Sequence, residues 1–112
     1  MQNRRRHERR PVPDPVVLVD EVRGRRIGTL VNLSPQGLMV LAESRIEPGT
    51  IWQTMFDLPD GTARLQLGVE ALWTQPSDLG GYYWAGFQIL SISDLDLDYL
   101  LDYLERLPVA ES

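Results

Sequence analysis

The sequence predicts an all-β domain of six strands, a sandwich or a barrel, followed by one C-terminal helix. Three observations carry this expectation. From Val16 onward, short apolar segments of strand length are separated by turn residues. Residues 64–74 alternate apolar and polar with one fault, and after Ser93 the apolar spacing becomes that of a helix. The 112 residues are enough for one core and too few for two, so a single domain is expected.

Residues 1–15 contain little apolar material and carry prolines at 11, 13 and 15, which remove backbone donors and favour extended geometry; they are expected to form a flexible arm. The β-domain is expected over 16–92. Its first strand spans about Val16–Val22 and turns at Arg23-Gly24-Arg25, and the second spans Ile27–Ser34. Ser34-Pro35-Gln36-Gly37 reads as a tight turn, with proline at its second position and a glycine free to adopt positive φ, leading into Leu38–Ala42. Past Glu47-Pro48-Gly49 comes Ile51–Asp57, and past Pro59-Asp60-Gly61 comes Arg64–Thr74. In that fifth strand Leu65, Leu67, Val69, Ala71 and Trp73 share one face, and Leu72 alone breaks the pattern. Tyr82–Leu90 is the sixth strand, with Tyr83, Ala85, Phe87 and Ile89 inward. The helix is expected over 93–107, with Ser93 as N-cap, Asp94, Asp96 and Asp98 near the positive end of its dipole, and Leu97, Leu100, Leu101, Leu104 and Leu107 as its apolar stripe.

Charge is unevenly spread. All eleven basic residues are arginine, and the first ten positions carry +4 against −9 for residues 11–112. The absence of cysteine excludes disulfides, thiolate metal sites and cysteine nucleophiles, and a lone histidine, His7, excludes a two-histidine centre. No apolar run approaches the ~18 residues of a membrane span. The basic start meets prolines rather than an apolar core, so no signal peptide is read and a cytoplasmic protein is expected. No paired nucleophile and base and no phosphate-cradling glycine loop before a helix are legible, so catalysis is not expected, and neither is a cofactor or metal.

Two constellations carry recognition chemistry. The arm reads Arg4-Arg5-Arg6-His7-Glu8-Arg9-Arg10, with overlapping Arg-x-x-x-Arg pairs at 5/9 and 6/10. Guanidinium forks match phosphate oxygens and the guanine O6/N7 edge, and they stack on base planes. The second is Asn32-Leu33-Ser34-Pro35-Gln36-Gly37. Strand parity places the Asn32 amide and the Ser34 hydroxyl on one side, projecting outward beside a turn. Each constellation alone has an ordinary explanation, as a solvated terminus and as routine hairpin chemistry.

Together, in this order and separation, they resemble the PilZ domain family of bacterial cyclic di-GMP receptors, which is marked by an Arg-x-x-x-Arg arm and an (Asp/Asn)-x-Ser-x-x-Gly turn. Tyr83-Trp84-Ala85-Gly86-Phe87-Gln88 looks like that family's last barrel strand, and the terminal helix fits as well. The resemblance implies a six-stranded antiparallel β-barrel of split-barrel type whose arm folds over the ligand. It implies that Arg5 and Arg9 grip guanine edges and phosphates, that Asn32 bonds a guanine, that Ser34 lies near a phosphate, and that Gly37 holds the turn. Arg4 becomes an extra contact that would favour two stacked ligand molecules, and the double-arginine start favours the 5/9 pair. Trp73 would stack on a base at the barrel rim, although its parity with Leu65 to Ala71 points to core or rim packing. The partners implied are cyclic di-GMP and a downstream protein, the function being signal transduction. Two alternatives stand beside this: a PilZ-like interaction domain without ligand, and a nucleic-acid-binding module using the basic arm. The acidic body opposes the second, because it repels a long polyanion.

Overall fold

The computed structural model describes residues 9–107. Seven strands are formed: β1 (Arg10–Pro11), β2 (Val17–Asp20), β3 (Arg25–Leu33), β4 (Gly37–Ala42), β5 (Ile51–Asp57), β6 (Arg64–Pro76) and β7 (Tyr83–Ile92), followed by helix α1 (Asp94–Arg106). All pairings are antiparallel. Strands β2 to β7 close on themselves in the order β3-β2-β5-β6-β7-β4 and back to β3, giving a six-stranded barrel with no free edge among these strands. The six expected strands and the helix are all present, with no end shifted by more than two residues.

Alternation accounts for the interior. Leu65, Leu67, Val69 and Ala71 of β6 are buried, as are Ala85 and Phe87 of β7, Leu38 and Val40 of β4, and Leu18 of β2. The turn glycines Gly24, Gly49 and Gly61 adopt positive φ. Helix α1 starts where expected: the Ser93 hydroxyl accepts from the Asp96 amide at 3.1 Å, and Asp94 and Asp96 occupy the first turn. The carboxylate of Asp96 also accepts the Gln66 amide at 3.1 Å, which ties the helix start to β6. The expected leucine stripe needs one correction. Leu101 is 40% exposed, whereas Tyr103 is 5% exposed and joins Leu100, Leu104 and Leu107 in the core. A narrow stripe at spacings of three and four is what the helix buries, and Leu101 falls on its flank.

The last turn of α1 is held from both sides. Arg106 reaches Asp60 in the β5–β6 turn at 2.7 Å. The Thr62 amide and hydroxyl donate to Asp60 and, with Arg106, hold its carboxyl down to about 2. A carboxylate lowered in the fold contributes stability that is complete above its ordinary value of 3.8 and is lost as pH falls through about 2. Unfolding midpoints should therefore drop across this acid window, and Asp60→Asn should flatten that limb. An identical acid limb in the variant would count against this role.

The described part of the arm lies along the barrel. Arg10 and Pro11 pair with Leu33 and Asn32, and the Val12 amide donates to Val31 O at 3.1 Å. After an irregular Pro13-Asp14-Pro15 segment the chain rejoins the same edge of β3, where the Leu30 amide donates to Val16 O at 2.9 Å. Residues 10–20 thus run antiparallel to β3 as one interrupted strand. The first eight residues, including Arg4 and Arg5, lie outside the described part of the chain.

Candidate functional site

Two β-bulges build the outer face beside the arm. In β3 the register with β4 shifts between Leu30 and Asn32, so Val31 is the extra residue. Leu30 pairs with Val40 and Leu33 with Leu38, all four buried, while Asn32 pairs with the half-buried Met39 and turns outward. Without the bulge, Leu30 and Leu33 could not both face the core. In β6 the register with β7 shifts between Ala71 and Trp73, which makes Leu72 the extra residue. The single fault in the sequence alternation is therefore a bulge. It reverses the parity of Trp73, which leaves the inward series and stands on the outer face, 38% exposed.

The result is one row of residues across four strands: Asn32 beside Met39, Met39 beside Gly86, Gly86 beside Trp73. Gly86 is the bare floor of this row. A Cβ there would collide with the indole of Trp73, which lies across it. In the sequence Gly86 stands only as part of the last-strand pattern, although a glycine inside a strand is a recognised sign of close approach. Trp84 is half-buried on the neighbouring outer row, between Leu41 and Gln75.

Arg9 completes the face at the other end of the row. Its Nη1 donates to Asn32 Oδ1 at 3.1 Å, and its guanidinium lies near Gly37. The contact uses one of five N–H donors. Arg10 points elsewhere, to the end of α1, so of the two overlapping arginine pairs it is the 5/9 pair whose second member meets the Asn32 turn.

Ser34 departs from the parity reading. It does not project outward but is buried, 2% exposed, with its Oγ accepting from the amides of Gln36 at 3.2 Å and Gly37 at 3.1 Å. The hydroxyl folds the turn, because the chain has already left the strand at Leu33 and the turn amides need an acceptor. Gly37 departs from its reading too. Its φ is not positive. A Cβ at that position would stand 2.5 Å from the backbone oxygen of Phe87, so the requirement is the closeness of β4 to β7.

Chemically, the face offers one forked cation, one amide, a glycine floor and an indole plane. That set suits a flat polar ring next to an anion. The PilZ domain family model matches residues 3–106. No curated protein sequence matches significantly. Among solved structures, the chain is similar to the inhibitor of motility of Bacillus subtilis (MotI/DgrA), with a TM-score of 0.72 and 16% identity over 89% of this chain and 49% of that one. The chain spans about half the length of that protein, and at this identity the likeness is one of fold.

Proposed function

The chain belongs to the PilZ domain family, and from that premise we propose that it is a cyclic di-GMP receptor which signals to a partner protein through its N-terminal arm. The observation that carries the reading is the meeting of Arg9 with Asn32 at the head of an outer row that ends in Trp73 over Gly86. The ligand has two phosphate charges and two guanines. Arg9, with Arg5 and Arg4 from the preceding residues, meets phosphates and guanine edges, Asn32 bonds a base, and Trp73 stacks. Ser34 and Gly37 act indirectly: they shape the turn that sets Asn32 beside the arm. Ligand binding tightens the hold of the arm on β3 through Arg9 and Asn32, and that tightening is the signal. This is binding and transduction rather than catalysis. Inhibition of motility, the activity in the neighbour's name, is an output such an adaptor can serve.

Titration of the purified chain by calorimetry, with GMP and GTP as controls, is the direct test. Saturable binding of cyclic di-GMP and none of the mononucleotides is expected; no heat or spectral change with the cyclic dinucleotide refutes the reading and leaves a ligand-free interaction domain. Trp73→Ala should weaken binding about tenfold, the loss of one base–aromatic stack. Its indole fluorescence should also respond to ligand in the parent chain. An unchanged affinity would remove Trp73 from the site.

A further inference from the structure

We propose that Arg10 is a positioning residue which couples the ligand site to the end of helix α1. The proposal rests on the receptor reading and adds a route of regulation to it. A helix leaves its last four carbonyls without intrahelical partners, and a cation near them is favoured by the helix dipole. In α1 no glycine supplies the usual left-handed cap; Leu107 is extended, with its amide on Leu104 O at 3.1 Å. The helix's own last-turn arginine, Arg106, is engaged by Asp60 and Asp102. The cap comes instead from the far end of the sequence. Arg10 Nη1 donates to Leu104 O at 2.9 Å and to Leu107 O at 3.0 Å.

Arg10 is also anchored by its backbone. It pairs with Leu33 in β1–β3, and Arg9, the residue just before β1, sends its side chain to Asn32 while that of Arg10 reaches the helix. One short stretch therefore carries a ligand-facing arginine on one side and a helix-facing arginine on the other. The following arm segment adds to this contact, since the Asp14 charge lies close enough to act on Tyr103, the buried tyrosine of the same helix turn. A ligand that holds Arg9 over Asn32 also holds Arg10 on the helix carbonyls. The linkage is reciprocal: whatever pulls residues 104–107 away from Arg10 weakens ligand binding by the same factor.

Amide hydrogen exchange of residues 104–107, measured on the full chain, tests this in two arms. Without ligand, Arg10→Ala should speed exchange there several-fold, with Arg10→Lys intermediate because a lysine keeps the charge but not the reach and planar geometry that bring Nη1 between the two carbonyls. Exchange equal to the parent's in both variants overturns the latch, whether or not the chain binds cyclic di-GMP. With ligand, the parent should show these amides slowed about tenfold, a coupling within the usual range. Arg10→Ala should bind about tenfold more weakly and show no such slowing. A helix end that responds equally in Arg10→Ala overturns the coupling. Failure of the parent to bind the dinucleotide overturns the receptor reading, and the coupling with it, while the ligand-free arm still decides the latch.

Discussion

An Arg9→Ala chain should bind cyclic di-GMP about a hundredfold more weakly than the parent, because on the proposed receptor reading it would lose two charge-assisted hydrogen bonds of about 1.5 kcal/mol each. Its fold should be unaffected. Arg9 is exposed and among the described residues its side chain bonds only Asn32, at the surface, so thermal unfolding should move by no more than about 0.5 kcal/mol equivalent. The pair of measurements separates this site from a generic basic tail. A tail that binds polyanions would lose affinity in equal steps for each arginine removed and would show a steep salt slope. Calorimetry at two salt concentrations, on Arg9→Ala and on Arg6→Ala, distinguishes the two. Equal losses for both variants would refute a specific role for Arg9.

Gly37→Ala acts on the barrel first. The added methyl meets the Phe87 carbonyl at 2.5 Å, and that atom belongs to a backbone paired with β4 along six residues. Neither strand can yield alone, so the substitution should cost about 2 kcal/mol, as overpacking in a closed core does. The unfolding midpoint should fall by roughly 10 °C. Ligand affinity should fall as well, since the same strain displaces the turn beside Asn32. Gly86→Ala is the informative contrast. Its methyl meets the Trp73 side chain, which can swing away, so affinity should suffer more than stability. Denaturant unfolding and calorimetry on both variants check the pair. A Gly37→Ala chain as stable as the parent would show that the strands can separate there.

Much of the molecule was legible along the chain. Strand positions followed from alternation and turn residues, because the interior of a barrel and its outer surface impose a period of two. The Ser93 cap and the acidic first turn of α1 followed from local helix chemistry. The paired motifs at residues 5–9 and 32–37 located the arm and the turn that meet in the structure through Arg9 and Asn32. Less legible was the direction in which several side chains point. Trp73 keeps the parity of the buried series in sequence, yet the extra residue at Leu72 turns it outward. Asn32 faces out because Val31 is the extra residue that lets both Leu30 and Leu33 face in. Ser34 has outward parity in the sequence, yet the amides of its own turn take up its hydroxyl.

The sequence by itself determined the element order, the strand and helix periods and the residue types of the two motifs, since each depends on neighbours within a few positions. Tertiary structure alone decided the outward turn of Asn32 and Trp73, the steric reason for Gly37, and the reach of Arg10 to carbonyls 94 and 97 residues away. Those features depend on which strands pair and in what register. A bulge is defined only against a partner strand, and a helix cap supplied from across the chain leaves no periodic trace in either segment.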